Sequence, residues 1–197
     1  MNKMKKENRG IGASQQLVVV AIIVAVIGVG VFFIIEEYPR QSEEGQKNFL
    51  TFKNEKYDFS VSYPSNWTMD NMEYTGRAYV MLNENTTEGN SNARVQIIAG
   101  RLDYPSLDNL KNTISNQIEN NENLESGGIK EIDVDGANAI DIAYEQTTSN
   151  GIGQGRMIFF KRDNLDYAIS AYVDENHYEQ FKTDIESIVD KFSFISE

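Results

Sequence analysis

The stretch Phe52–Trp67 reads FKNEKYDFSVSYPSNW and contains a clear strand pattern that ends in a turn. Phe59, Val61 and Tyr63 alternate with serines, which is typical of a strand with one buried face. Pro64 ends this strand because proline has no N–H to donate to a ladder. Aromatic side chains contribute mainly by burial, so we expect this stretch to fix the first strands to the core.

The segments that follow this stretch alternate between apolar and polar residues, which predicts an antiparallel sheet built from hairpins. Asp135-Gly136 suits the positive φ values of a tight type I′ turn and predicts a hairpin there. Gly127-Gly128 is predicted to interrupt regular secondary structure, and residues 146–155, with three glycines, are predicted to form a loop. Strands are predicted at 49–52, 59–63, 78–82, 95–99, 132–134, 140–144, 156–161 and 165–173.

Two segments have the spacing of amphipathic helices, each with a single apolar stripe. The first follows Ser106, a suitable N-cap, and has apolar residues at spacings of 3, 4 and 4. The second runs from about Glu175 to Phe192, and its stripe includes both Phe181 and Phe192. A helix with one apolar side must bury it against another layer, so the sequence predicts an α+β fold with helices packed on the sheet.

The opening stretch resembles the start of the PsbP-like domain of the Mog1/PsbP fold. The resemblance is carried by Tyr57, Phe59, Tyr63, Pro64 and Trp67, and the later order of elements extends it over about residues 49–195. It implies an α/β/α sandwich with a central antiparallel β-sheet flanked by helices. Known members, an extrinsic subunit of photosystem II and a nuclear protein that binds a small GTPase, bind proteins rather than turn over substrates. The resemblance therefore implies a non-catalytic module with a protein partner, and it assigns no site residue.

Upstream of the domain, residues 17–35 read LVVVAIIVAVIGVGVFFII, without charge or proline. A helix of this length spans roughly 28 Å, close to the thickness of the hydrocarbon core of a bilayer. Four basic residues precede the segment, and Glu36 and Glu37 follow it. The positive-inside rule then predicts a single-pass protein with a cytoplasmic tail (1–16), a transmembrane helix (17–35), a linker (36–48) and an extracytoplasmic domain (49–197).

A retained signal anchor is favoured because no Ala-x-Ala-like cleavage site follows the apolar segment. An alternative rests on Arg9-Gly10, which resembles the processing site of archaeal prepilin-type signals. Cleavage there would leave the apolar helix on the mature chain, where it would pack in a filament. The chain would then be a pilin-like surface subunit.

Charge and cysteine content exclude several functions. The chain has 18 basic and 30 acidic residues, and residues 36–197 carry a formal charge of −15 (14 basic against 29 acidic residues). Such an acidic domain, without a basic patch, does not favour nucleic-acid binding. With no cysteine, disulfides, thiolate metal sites and thiol catalysis are excluded. No cofactor motif was found.

Candidate sites are few. His177 is the single histidine, so an alternative hydrolase mechanism would require it as the base. Asp133 and Asp135 are weak candidates for calcium, because they lie on one strand face beside a turn. The segment Gly151–Gly155 has the glycine content of a phosphate loop, but it does not precede a predicted helix.

Two tripeptides match the N-glycosylation pattern, Asn66-Trp67-Thr68 and Asn85-Thr86-Thr87. They would be used only if the domain faces a glycosylating compartment.

Overall fold

The computed structural model describes residues 48–85, 91–102, 104, 106–148 and 151–195. This part of the chain contains ten strands, two α-helices and two 3₁₀ turns, at Glu55–Tyr57 and Glu175–His177. The helices are α1 (Leu107–Glu119) and α2 (Tyr178–Asp190). The strands are β1 (Phe49–Asn54), β2 (Phe59–Pro64), β3 (Trp67–Tyr74), β4 (Arg77–Glu84), β5 (Ala93–Gly100), β6 (Leu124–Val134), β7 (Ala137–Thr148), β8 (Gly151–Arg162), β9 (Leu165–Asp174) and β10 (Phe192–Phe194).

The strands form two antiparallel sheets. The large sheet has seven strands in the order β3-β4-β5-β9-β8-β7-β6, and the small sheet has three in the order β1-β2-β10. The α+β prediction with antiparallel strands is therefore confirmed, but the prediction of a single sheet is wrong. The second sheet arises because β10 returns after α2 and pairs with β2, with Phe192 opposite Val61.

Each face of the large sheet has its own apolar core. On one face, α1 contacts β6 and β7, and its buried residues Leu110, Ile114 and Ile118 pack with residues such as Ile142 and Phe159. On the other face, α2 and the small sheet pack against alternate residues of β4, β5, β8 and β9. The predicted packing of one helix stripe on each side therefore holds for both α1 and α2.

Aromatic packing joins the small sheet to the large one. Phe59 of β2 lies edge-on to Tyr167 of β9, with ring centroids 6.4 Å apart, and Phe192 of β10 lies edge-on to Phe160 of β8 at 5.2 Å. The Tyr167 hydroxyl donates a hydrogen bond of 3.0 Å to the carbonyl of Tyr57. The expectation that the opening aromatic stretch fixes the first strands to the core is confirmed.

Phe192 is not part of the last helix, although its spacing from Ile188 continues the helical stripe. The helix ends at Asp190, and Phe192 begins β10. The apolar side chain satisfies the core equally well from a strand, so its spacing alone does not reveal the change of secondary structure.

Of the glycines near the middle of the domain, Gly136 lies in a turn and the others lie within strands. Asp135 and Gly136 have φ values of 48° and 82° and form the predicted hairpin turn. Gly127-Gly128 does not break the chain but lies in β6, where the register shifts between Ser126 and Gly128 as a β-bulge. Most of the segment 146–155 is strand rather than loop, because β7 continues to Thr148 and β8 starts at Gly151.

Strand β3 (Trp67–Tyr74) was not predicted, since its exposed residues show no alternation of burial.

Two of the strand glycines make room for tyrosine rings. A methyl group at Gly155 would overlap the ring of Tyr144, which lies opposite it on β7, and a methyl group at Gly153 would overlap the Tyr172 hydroxyl. A glycine in a strand often marks such a close approach. The glycine-rich sequence is therefore explained by packing on the sheet, and in the structure it lies in β8 rather than before a helix, as the sequence predicted.

We predict that Gly155→Ala lowers the free energy of unfolding by about 1–3 kcal/mol, because the overlapped Tyr144 ring is buried and can move only by displacing its packed neighbours. Gly153→Ala is the matched control and should cost less, since the overlapped atoms lie at the end of the partly exposed Tyr172 side chain. Urea denaturation of both variants measures the difference. Equal losses would contradict the assigned role of Tyr144.

Burial raises the pKa of Tyr144 and of Tyr167 to about 12. A raised pKa in the folded state means that the folded protein holds these phenol protons more tightly than the unfolded chain does. Their contribution to stability is present below the ordinary tyrosine pKa of about 10 and is lost as the pH rises towards 12.

We therefore predict that the free energy of unfolding falls between about pH 10 and about pH 12, and that Tyr167→Phe makes this fall smaller. Urea denaturation across this pH range, for both the native and the variant chain, measures the two slopes. If both chains lost stability equally, the titration of Tyr167 would not contribute.

Candidate interaction surface

One part of the large sheet lacks a covering layer among the described residues. It is the α1-facing side of β3, of β4 and of the Arg94–Gln96 part of β5, together with the neighbouring end of β9, and we call it the open face. Its border lies at Ile98 of β5, which is 3% exposed and belongs to the α1 core, and Tyr79 packs against that core. The strand register pairs Met72 of β3 with Tyr79 of β4, and Arg94 of β5 with Tyr172 of β9. Its large and charged residues are Asp70, Met72, Tyr74, Arg77, Tyr79, Met81, Arg94, Gln96 and Tyr172.

The two faces of β4 show the contrast directly. Residues of the covered face are buried, and Val80 and Leu82 are each 0% exposed. Residues of the open face on the same strand, including Tyr79 and Met81, remain partly exposed. The cause is the position of α1, which contacts β6 and β7 at the other end of the sheet.

The open face is rich in apolar and aromatic area. Met72 is 58% exposed and Tyr74 is 68% exposed, and both lie on β3 with their side chains on this face. Together with Leu50 on β1, they are the large apolar residues that stand out as exposed in the described part of the chain. Aromatic residues and methionine are enriched at protein interfaces, so a continuous patch of them marks a candidate interaction site.

Two arginines border this apolar area and have defined contacts. The Arg94 guanidinium lies over the Tyr172 ring, 5.5 Å from its centroid. The Arg77 Nε donates a hydrogen bond of 2.9 Å to the carbonyl of Arg101. The pKa of Tyr172 is raised, first by burial and then by the nearby Asp174 carboxylate. Side chains held in this way lose little conformational freedom when a partner binds.

The buried aspartate Asp141 stabilises the strands rather than forming an open site. Its carboxylate accepts two hydrogen bonds from the Arg156 guanidinium, at 2.9 and 3.0 Å, and lies 3.2 Å from the Lys130 ammonium. A bidentate pair of this kind satisfies the carboxylate geometrically and electrostatically. Lys130, Asp141 and Arg156 lie on the adjacent strands β6, β7 and β8, so their ion pairs link these strands.

Asp166 holds the segment that follows β5. It accepts a hydrogen bond of 2.8 Å from the backbone N–H of Leu102 and pairs with the Lys161 ammonium. Lys161 in turn lies 4.2 Å from the centroid of the Tyr104 ring. Burial, with the nearby Asp166 charge, holds the pKa of Tyr104 well above its usual range. This cluster fixes the start of the segment that joins β5 to α1. The Asp166 carboxylate is occupied by these two contacts.

His177 lies in the 3₁₀ turn before α2, with its side chain 38% exposed. Its Nδ1 is 3.6 Å from the Asp174 Oδ1 and makes no hydrogen bond within the described part of the chain. The imidazole contacts the Phe181 ring, with centroids 6.3 Å apart. The described geometry therefore provides a neighbouring carboxylate but no hydrogen-bonded nucleophile for the hydrolase alternative.

Asp133 and Asp135 both use their carboxylates locally. The Asp133 Oδ1 accepts a hydrogen bond of 2.9 Å from the Gly136 N–H, and the Asp135 Oδ2 accepts one of 2.8 Å from the Phe194 N–H. Among the described residues there is no group of three or more His, Cys, Asp or Glu that could hold a metal ion. The calcium interpretation stays a prediction, and Asp135 has a structural role that the sequence did not indicate.

The remaining predicted sites lie at the surface or outside the described residues. Asn66 is exposed in the turn before β3, and Asn85 is exposed directly after β4. The apolar segment 17–35 and the dipeptide Arg9-Gly10 both fall outside the described residues. Within the described ranges, which start at residue 48, the structure has no helix that is long and apolar enough to cross a bilayer.

We predict that Met72→Ser combined with Tyr74→Ser changes the free energy of unfolding by no more than about 0.5 kcal/mol, because both side chains are exposed. Val80→Ala, on the covered face of the neighbouring strand, is the control and should cost about 1–3 kcal/mol. Urea denaturation distinguishes the two. A large loss in the double variant would show that these side chains serve folding.

Comparison with known proteins places the fold. A family model described as "PsbP-like protein" matches residues 18–194, and no curated protein matches the chain. The solution structure of cyanobacterial PsbP (CyanoP) from Synechocystis sp. PCC 6803 is similar, with a TM-score of 0.55 at 10% identity, covering 79% of this chain and 98% of that one.

Two other structures have lower similarity. A crystal structure from Bacteroides thetaiotaomicron VPI-5482 has a TM-score of 0.49 at 12% identity and covers 75% of this chain and 48% of that one. LpqN of Mycobacterium tuberculosis, described as involved in cell envelope biogenesis, has a TM-score of 0.43 at 6% identity and covers 78% of this chain and 87% of that one.

At these identities, the likeness to CyanoP shows a shared fold and does not by itself transfer a function. The family model is the stronger finding, because it spans most of the chain, including all ten described strands. The opening motif, the antiparallel sheets and the family match agree, and the chain belongs to the family of PsbP-like proteins.

Proposed function

We propose that the chain is a non-catalytic PsbP-like module, anchored in a membrane by residues 17–35, that displays its domain outside the cytoplasm. The module binds a protein partner through the open face and assists a complex at the membrane or cell surface. The observation that carries the proposal is the exposed apolar patch of Met72 and Tyr74, next to Tyr79 and Met81 on the neighbouring strand.

The choice of a protein partner follows from the chemistry of this patch. Its centre is apolar and aromatic, and arginines border it, which is the composition of many protein interfaces. Residues 36–197 carry a formal charge of −15, yet the defined set of open-face residues contains two arginines and one aspartate. An acidic or neutral protein surface therefore meets less electrostatic repulsion at the open face than at the rest of the domain.

A binding role rather than an enzymatic one is supported by the placement of the titratable groups. Asp141 and Asp166 are engaged in ion pairs inside the fold, and His177 has no hydrogen-bonded nucleophile among the described residues. The open face itself carries no histidine and no pair of carboxylates. The resemblance to family members that act by binding points in the same direction.

The proposed location rests on the sequence upstream of the domain. The uncharged segment 17–35 has the length of a transmembrane helix, and the basic residues before it favour a cytoplasmic N-terminus. The polar linker 36–48 then leads into β1 at Phe49.

We predict that a photo-crosslinking amino acid at Tyr79 in the full chain, expressed in its native cells, captures a discrete partner protein. The same amino acid at Lys53, which is exposed on β1 of the small sheet, is the matched control and should not capture it. Mass spectrometry identifies the crosslinked product. Identical capture patterns at both positions would argue against the open face.

The same cells test the location. Protease added to intact cells should degrade the domain, while the cytoplasmic tail stays protected and the anchor stays in the membrane fraction. A domain that survives until the cells are lysed would contradict the proposed orientation.

A further inference from the structure

The two edge strands of the large sheet, β3 and β6, differ in their protection. An edge strand presents unpaired backbone N–H and C=O groups, which makes it a template for pairing with another chain. Natural sheets block this pairing with bulges, prolines and charged side chains. Whether each edge is blocked can be read from its sequence and register.

Strand β6 is protected. Its register shifts between Ser126 and Gly128, which introduces a bulge, and four charged residues lie along the strand. Lys130, Glu131 and Asp133 all lie within the last five positions of the strand. A bent and charged edge of this kind opposes the approach of another strand.

Strand β3 has neither a bulge nor a proline, and its charged residues are the two acids Asp70 and Glu73. Its eight residues, WTMDNMEY, contain no proline, no glycine and no lysine, and its register with β4 runs without a shift. All five residues from Asp70 to Tyr74 are exposed. The acid Glu73 is paired with Lys56, which lowers the pKa of this carboxyl mainly through their hydrogen bond. The negative charge of Glu73 is therefore compensated locally.

The hairpin geometry shows which backbone groups of β3 point outward. Thr75 and Gly76 have φ values of 50° and 72°, as in a two-residue type I′ turn, and Tyr74 lies opposite Arg77. The pair that flanks such a turn is hydrogen-bonded, and hydrogen-bonded and non-hydrogen-bonded pairs then alternate along the strands. The N–H and C=O groups of Glu73, Asn71 and Met69 accordingly face away from β4.

We infer that β3 pairs in antiparallel orientation with β3 of a second copy of this chain, about a two-fold axis at Asn71. Such pairing joins the two large sheets into one and brings the two open faces side by side. An isologous contact of this kind closes at two copies. Pairing of β3 with the β6 edge of another copy would instead extend without limit, and the bulge and charges of β6 oppose it.

The register centred on Asn71 follows from charge and overlap. It places Asp70 opposite Met72, Thr68 opposite Tyr74 and Met69 opposite Glu73 of the second copy, so that no like charges face each other. Moving the axis to Asp70 would place two aspartates directly opposite, which is destabilising. Moving the axis to Met72 would shorten the overlap to Asp70–Tyr74.

This inference does not depend on the proposed function. A dimer would form with or without a protein partner and whether or not residues 17–35 span a membrane. Failure of either proposal would leave the other standing.

The absence of native cysteine allows a direct test, because a single introduced cysteine can only pair with a second copy. In the inferred register the two Asn71 Cα atoms are about 5.5 Å apart, which suits a disulfide. We expect full-length Asn71→Cys, in detergent and under mild oxidation, to form a crosslinked dimer about tenfold faster than Glu131→Cys, a control on the exposed β6 edge. Equal rates would overturn the inference.

A second pair of variants tests the backbone contact. Asn71→Pro removes an outward N–H that the pairing needs, whereas Asn71→Ala removes the same side chain and keeps the N–H. Sedimentation of the full chain over a range of concentrations should show dimers for the native chain and for Asn71→Ala, and monomers for Asn71→Pro. A native chain that remains monomeric at every concentration would overturn the inference, as would unchanged dimers in a folded Asn71→Pro. If circular dichroism shows that Asn71→Pro is unfolded, the comparison of crosslinking rates between Asn71→Cys and Glu131→Cys is the deciding test.

Discussion

The packing of Phe59 and Phe192 against the Phe160–Tyr167 pair is the contact on which the architecture depends. Phe59 and Phe192 lie on neighbouring strands of the small sheet, and Phe160 and Tyr167 lie on neighbouring strands of the large one. Large aromatic rings exclude water over a wide area and prefer stacked or edge-on contacts, so the two sheets are held in one arrangement. Asp135 adds a directional link, because its carboxylate accepts the N–H of Phe194.

This contact also explains why the two faces of the large sheet differ. The small sheet and α2 together cover the face that includes Val80 of β4 and Val95 of β5. On the opposite face, α1 covers only the half of the sheet near β6 and β7. The half near β3 and β4 is left with partly exposed side chains, which is where an interaction surface can form without loss of stability.

Much of the core could be read from the sequence. The alternation in β2, the Ser106 N-cap and the Asp135-Gly136 turn are local features, since each depends on residues adjacent in the chain. The candidate site could not be read in this way. The exposed residues of β3 follow no burial period, and Tyr79 and Met81 resemble core residues until the position of α1 is known.

The sequence by itself determined the antiparallel α+β class, the aromatic opening motif and the family resemblance, because periodicity, turn chemistry and side-chain type act over short distances. Only the tertiary structure decided that Phe192 belongs to a strand, that Gly153 and Gly155 accommodate tyrosine rings, and that one half of a sheet face stays open. These features depend on contacts between residues far apart in the chain. Whether an apolar side chain is buried depends on what packs over it, and a one-dimensional pattern does not contain that information.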